Sequence, residues 1–388
     1  MKTIVIKLGS SNVADRRGRL RRSLLAGRVA EVLELVDAGH RMVIVSSGAI
    51  ACGQSVLGMR ERPERIADLQ AASAVGQGRL FAEYARLCAR HGRTAAQVLL
   101  TSGDFSHRDT YVNARTTLRR LLAWQILPVV NENDTTAIDE IRFGDNDVLA
   151  ALVAIMLRAD LLVLLTDRDG LYTADPAKDP QAARIDRLTS LAQLSRVDVR
   201  AARRGGAGGM GGKVAAAFMA AGADVPTVIA DGSRPGVVTD AATGRVGGTI
   251  VPARRAPESA FKLWLRYAKP ARGTVEIDAG AAAALEDDGG SLLPVGVIAV
   301  HGSFQTGDAV SLVGPDRREI ARGLVSMGAR DLRCVAGLRS TAARAIVPHI
   351  DDEVVHRDQL VLMTEEALRR PSRRPVVPPR PQLALSPC

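Results

Sequence analysis

Gly205-Gly206-Ala207-Gly208-Gly209-Met210-Gly211-Gly212-Lys213 opens onto the apolar, alanine-rich run VAAAFMAA at 214–221, and its reading decides the surrounding fold. Six of the eight residues before the lysine are glycine. Such a loop lets backbone N–H groups approach an anion closely, with a helix N-terminus and a cation facing it. A phosphate cradle is the first expectation, and a plain flexible linker is the bland alternative.

Two known cradles can be tested against the stretch. A Walker A loop needs Gly, four residues, then Gly-Lys-Ser/Thr. Here Ala207 occupies the first position and Val214 follows the lysine, so no hydroxyl is on hand for magnesium. The dinucleotide fingerprint GxGxxG does match at Gly206, Gly208 and Gly211, and Asp231 follows where a ribose-binding acid would stand. That fingerprint must follow a strand, and the preceding VDVRAARR (197–204) is too charged for a buried one. An NAD-dependent oxidoreductase is therefore the alternative reading.

Working outward, residues 1–250 alternate strand-like and helix-like patterns. Strand-like runs fall at 3–7, 42–46, 97–100, 127–131, 161–166 and 226–230; helical periodicity covers 24–38, 66–91, 109–124 and 147–158. Several of the strands are continuous apolar runs, as expected when both faces are covered. The expectation is an α/β fold with an open, mainly parallel sheet sandwiched by helices. A small hairpin is expected at 135–142. Residues 256–272 read as a connector, and 273–362 as a small β-rich domain with strands at 274–277, 297–300, 309–313 and 320–325. The domain limits are thus 1–255, 273–362 and a Pro/Arg-rich tail at 363–388.

Composition narrows the class. The 388 residues are 46% hydrophobic with a net charge of +10, and no apolar run reaches membrane-spanning length. Strand-like residues begin just after Met1, so a cytoplasmic protein is expected. The four cysteines are scattered without a CxxC pair, which fits a reducing compartment and gives no metal-site spacing. Arg369, Arg370, Arg373, Arg374 and Arg380 crowd a tail lacking interleaved aromatics; contact with RNA is a secondary expectation. Of 52 basic residues only six are lysine. Lys7 and Lys213 sit in glycine-bearing loops, where a compact ammonium suits a crowded phosphate better than a guanidinium fork. Lys178, Lys262, Lys269 and Lys2 have no such setting in the sequence.

In an open α/β sheet, ligands bind beyond the carboxyl ends of the strands. Those ends are coherent here: Lys7-Leu8-Gly9-Ser10-Ser11, Ser46-Ser47-Gly48-Ala49, Asn131-Glu132-Asn133-Asp134, Gly144-Asp145-Asn146-Asp147 and Thr166-Asp167. Each alone could be a helix cap or a turn. Five of them with a glycine-rich lysine loop are poorly explained as caps.

These segments, in this order, resemble the amino acid kinase family, in its branch with an appended PUA domain. KLGSS (7–11), SSGAIACG (46–53), AVGQGRL (74–80), PVVNENDT (128–135), FGDNDVLAA (143–151), LLTDRDGLYTADP (164–176) and GGMGGKVAAA (208–217) carry the resemblance, and GTVEIDAGAAAAL (273–285) resembles the PUA module. The resemblance implies transfer of the γ-phosphoryl group of ATP to the side-chain carboxylate of L-glutamate, the first step of proline biosynthesis. It implies catalytic roles for Lys7, Lys213 and Asp147. ATP would be bound by Lys7, Gly9, Thr166, Asp167, Gly208, Gly209, Met210, Gly211, Gly212 and Lys213, with Mg²⁺ carried on the nucleotide. Glutamate would be held by Ser47, Gly48, Asp134, Asp145 and Asn146. A homo-oligomer, dimer or tetramer, and feedback inhibition by proline are also implied. The family's glycine loop commonly bears hydroxyls where this chain has Ala207, Gly211 and Gly212, so the loop is expected to be mobile without nucleotide.

Overall fold

In a computed structural model, the described residues are 1–15, 17–105, 108–136, 146–190, 193–194, 209–254, 260–267, 269–348 and 350–363. The hairpin expected at 135–142, the loop at 205–208 and the tail from 364 onward lie wholly or mostly outside them.

The apolar runs become a seven-stranded sheet. Its strands are β1 (Thr3–Leu8), β2 (Arg41–Ser46), β3 (Ala95–Leu100), β4 (Leu127–Glu132), β5 (Leu161–Thr166), β8 (Thr227–Asp231) and β9 (Gly248–Val251), in the order β3-β4-β2-β1-β5-β8-β9. All neighbours run parallel except β9, which is antiparallel to β8. Every residue of β4 and β5 is buried, which is why these strands read as unbroken hydrophobic runs. A two-residue pair, β6 (Leu171–Tyr172) with β7 (Arg184–Ile185), follows β5.

Side-chain alternation along β1 divides the core. Ile4, Ile6 and Leu8 belong to one apolar layer with α2 (Arg22–Asp37), α3 (Ala49–Val56), α4 (Ile66–Arg90) and α8 (Val237–Thr243). Val5 belongs to the opposite layer with α5 (Arg108–Ala123), α6 (Asp147–Leu157) and α7 (Met210–Gly222). Lys7 shares the parity of Val5 and so points to the face covered by α6 and α7. Those helices are apolar nearly all round, and nine of the eleven residues of α6 are buried.

The stretch read as a connector holds a helix, α9 (Ala260–Tyr267). Leu263, Trp264 and Leu265 are buried in the same layer as α7. A Cβ on Gly222, the last residue of α7, would lie 2.8 Å from Leu263 Cδ2, so the missing side chain is what seats α9 there. Beyond it a second sheet, β11-β10-β12-β13-β14, is built from β10 (Gly273–Ile277), β11 (Val297–Gly302), β12 (Ala309–Val313), β13 (Glu319–Leu324) and β14 (Leu360–Leu362). Helices α10 (Ala279–Glu286), α11 (Ala329–Val335) and α12 (Ser340–Ile346) accompany it, and residues of all three pack into its separate core. Arg322 on β13 binds Glu319 at 3.0 Å and donates to the carbonyls of Arg266 and Lys269 at 3.3 Å, tying this sheet to α9. Among the described residues no helix is long and apolar enough to cross a membrane.

Candidate functional site

The chain leaves β1 for β2 on one side and returns to β5 on the other, so the carboxyl end of β1 is the switch point where a ligand crevice forms. Lys7 stands there, 2% exposed. Its Nζ lies 2.7 Å from Asp147 Oδ1, and Lys213 Nζ lies 2.9 Å from Asp147 Oδ2. Asp147 is fully buried and opens α6, where an acid complements the helix dipole. Lys213 is in the first turn of α7, where a cation runs against that dipole. One carboxylate thus holds two nearly buried ammonium groups side by side.

Gly209 precedes α7 at φ 87° and ψ −163°, a backbone state open essentially to glycine alone. Met210, Gly211 and Gly212 bring the helix start to Lys213, and the two glycines are buried. Gly208 lies outside the described residues. On the facing loop a Cβ at Gly9 would sit 3.6 Å from Lys7 Nζ, in ordinary contact, which places this glycine beside the ammonium.

Two cavities lie along these strand ends. The larger, about 600 Å³, is within the range of small-molecule sites. Lys7, Gly9, Thr166, Asp167, Gly209, Met210 and Lys213 line it, whereas Gly211 and Gly212, also expected at the nucleotide, are buried in α7 and do not. Lys178 lines it too, which corrects the reading that this lysine has no phosphate-like setting; Tyr172 and Asp175 were likewise missed. The smaller cavity, about 80 Å³, is lined by Ser47, Gly48, Asp134 and Asn146, and Ser10 borders both. Asp145 lies outside the described residues.

The small cavity is polar and well ordered by hydrogen bonds. Gly48 is left-handed at φ 106°, and a Cβ there would meet Val13 Cγ1 at 2.9 Å. Ser47 Oγ is buried and has no hydrogen-bond partner among the described residues, a donor and acceptor beside the cavity. Ser73 donates to Asp134 Oδ2. Burial pushes the Asp134 carboxyl above the usual range, while Ser73 and the charge of Arg62 pull it back. Asn146 donates to Ser46 O at 2.7 Å and to Asn131 Oδ1 at 2.6 Å. Ser73, Asn131 and Arg62 were not singled out in the sequence, although Asn131 stands in the NENDT run.

Asp231, the acid required by a dinucleotide site, is instead committed to its own turn. It accepts from Ser233 N and Ser233 Oγ, both at 2.8 Å. Two lysines on a shared carboxylate in the wall of the larger cavity suit phosphoryl transfer. The model of the amino acid kinase family matches residues 2–231. The chain belongs to the amino acid kinase family. Residues 273–347 match the PUA domain. Within this kinase family it stands with the glutamate 5-kinases. That of Ectopseudomonas mendocina is 46% identical over 364 residues, spanning 92% of this chain and 97% of its own. That of Synechocystis sp. is 44% identical over 366 residues, spanning 93% and 97%. Among solved structures, isopentenyl phosphate kinase aligns with a TM-score of 0.47 and 21% identity over 64% of this chain and 99% of its own. Membership in the amino acid kinase family implies ATP as phosphoryl donor.

Proposed function

We propose that this chain phosphorylates the side-chain carboxylate of L-glutamate with ATP, giving L-glutamyl 5-phosphate and ADP at the entry to proline biosynthesis. The observation that carries the mechanism is the Lys7–Asp147–Lys213 triad, whose two lysines line the larger cavity. The nucleophile needs no general base, because a glutamate side chain (pKa ~4.3) is already ionised at neutral pH. Its oxygen forms a bond to the γ-phosphorus as the bond to the bridging oxygen of ADP breaks. The obstacle is repulsion between a carboxylate and a polyphosphate. Catalysis then consists of positioning and charge neutralisation.

In this reading Lys7 meets the phosphates from the β1 side and Lys213 meets the transferring group from the α7 side. Asp147 keeps both ammonium groups aimed at one point. Thr166, Asp167, Gly209 and Met210 form the nucleotide wall; Ser47, Gly48, Asp134 and Asn146, with Asp145, hold glutamate. Mg²⁺ fits as an ion carried by ATP. Among the described residues no three of His, Cys, Asp or Glu converge into a cage, while Asp167 and Asp175 offer oxygen ligands at the nucleotide cavity. Bound there, the ion would neutralise phosphate charge. A homo-oligomer, dimer or tetramer, and proline inhibition at the glutamate subsite belong to the same proposal. RNA contact is disfavoured over 273–363, where acidic residues outnumber basic ones and a polyanion meets net repulsion.

The test is coupled ADP release over a panel of acceptors (glutamate, aspartate, N-acetylglutamate, carbamate, UMP), with and without proline. Glutamate should be preferred by at least about a hundredfold in kcat/KM, a conservative floor beneath the roughly 10⁴–10⁵ that a site built to hydrogen-bond its substrate achieves. A preference for any other acceptor overturns the reading.

Asp134 supplies a second check. To pair with an α-ammonium it must be ionised, and its burial places that ionisation above the ordinary ~3.9. As pH falls through this raised value the carboxylate is protonated and the pairing is lost. The KM for glutamate should therefore begin to rise on the acid side at a higher pH than an ordinary aspartate would give, while the KM for ATP does not follow. An acid-side rise that persists unchanged in Asp134→Asn would remove Asp134 from the substrate.

A further inference from the structure

Hydrogen-bond polarity in the small cavity can be followed atom by atom. Asn146 faces the backbone carbonyl of Ser46 at 2.7 Å, and a carbonyl only accepts, so the facing atom is the amide nitrogen. The second hydrogen of that nitrogen goes to Asn131 Oδ1 at 2.6 Å. The backbone N–H of Glu132, which only donates, reaches the same Oδ1 at 2.8 Å. Asn131 must therefore turn its own nitrogen away, and it donates to Gln77 Oε1 at 2.5 Å. Two backbone groups thus fix the sense of the whole relay. With both its amide hydrogens committed to the protein, Asn146 offers the cavity its oxygen, an acceptor.

Gln77 and Ser73 lie one turn apart on α4, on the same face. Ser73 is buried and donates to Asp134. The helix is held against α3, which follows the loop after β2, by two glycine contacts. A Cβ on Gly76 would fall 1.9 Å from Ala49 O, and one on Gly53 would fall 1.7 Å from Ala72 O. The Ser73–Gln77 turn consequently sits at a set distance from Ser47 and Gly48. The run AVGQGRL, which the mechanism leaves without a part, contains both Gly76 and Gln77.

Taking that cavity to be the amino-acid subsite of the proposed reaction, we propose that Gln77 and Ser73 are positioning residues that make it selective for an ammonium-bearing acid. Gln77, acting through Asn131, keeps the Asn146 oxygen turned toward the substrate. Ser73 keeps the Asp134 carboxylate aimed at the same place. Together they present acceptors only, which an α-ammonium satisfies and a methylene does not.

Gln77→Leu removes the acceptor that holds Asn131, whereas Gln77→Glu retains one. The leucine variant should raise the KM for glutamate about tenfold and lower the preference for glutamate over glutarate by a similar factor. Its kcat, its KM for ATP and its melting temperature should stay near wild type. Gln77→Glu should recover most of the lost preference, and Ser73→Ala should reproduce the loss. A leucine variant whose glutamate–glutarate preference stays within twofold of wild type overturns the proposal. So does a glutamate variant as defective as the leucine one, with both melting early, since that marks a purely structural residue. Wild-type protein without glutamate-dependent ADP release would overturn the parent reading as well; an active wild type with indifferent variants overturns the positioning alone.

Discussion

Replacing Lys213 with alanine is expected to lower the kcat for glutamate-dependent ADP release about a thousandfold, with the fold intact. The size follows from what is removed. A single preorganised donor aimed at developing charge in a water-poor site is worth roughly 10²–10³ in rate, and a full cation on a transferring phosphoryl group reaches about 10³–10⁵. Lys213 is 7% exposed, so solvent does little to screen it. The fold should survive because Asp147 keeps Lys7 at 2.7 Å, leaving no carboxylate unpaired in the interior. Lys213→Arg should recover under a tenth of the lost rate. A planar fork cannot occupy the space of a point charge hemmed in by Gly211, Gly212 and α6. Steady-state kinetics, with circular dichroism to verify folding, decides the matter. Alanine activity within tenfold of wild type would take Lys213 out of the transition state.

Much of this site can be read from the chain because its parts sit where strands end. A parallel strand buried on both faces leaves an apolar run that stops abruptly, and the first polar residues after it are candidates for the crevice. Lys7, Ser47 and Thr166 were found in that way, and Asn146 as the polar residue at a helix start. Lys7 also announces itself chemically, as a lysine inside an apolar run in a chain that otherwise writes arginine. The antiparallel edge β9 was not foreseen, since its four residues carry no periodicity that separates them from a loop.

Other parts were illegible for definite physical reasons. Ser73 and Gln77 lie on a helix whose apolar stripe defines its buried face, and a polar residue near such a stripe looks like noise until its partner is known. Those partners, Asp134 and Asn131, are more than 50 positions away. Arg62 and Lys178 come from loops with no periodicity. The helix at Ala260–Tyr267 is strongly amphipathic, but its eight residues are too short a run to stand out among the flanking prolines and charges. Backbone contacts such as Gly76 against Ala49 also have no local signal: glycine in a helix reads as a flaw until the neighbouring helix is in view.

Asp147→Asn should destabilise the protein by about 3–5 kcal/mol, the range seen when one partner of a buried ion pair is removed. The amide preserves size and keeps the helix start, so the change isolates charge. Lys7 and Lys213, at 2% and 7% exposure, would then face each other without the carboxylate between them. Two like charges in a poorly solvated site repel, and neither can recover its hydration without opening the α6–α7 contact. The penalty should depend on ligand. Polyphosphate brings negative charge to the same two ammonium groups, and whatever binds the native state alone stabilises it by mass action. Saturating ATP should therefore raise the urea midpoint of Asp147→Asn by more than it raises that of wild type, even as turnover falls. Asp147→Glu, which keeps the charge, should lose less stability than the amide. The readout is urea unfolding with and without nucleotide. An asparagine variant with a wild-type midpoint and an ordinary response to ATP would mean that the two lysines are held apart by something other than Asp147.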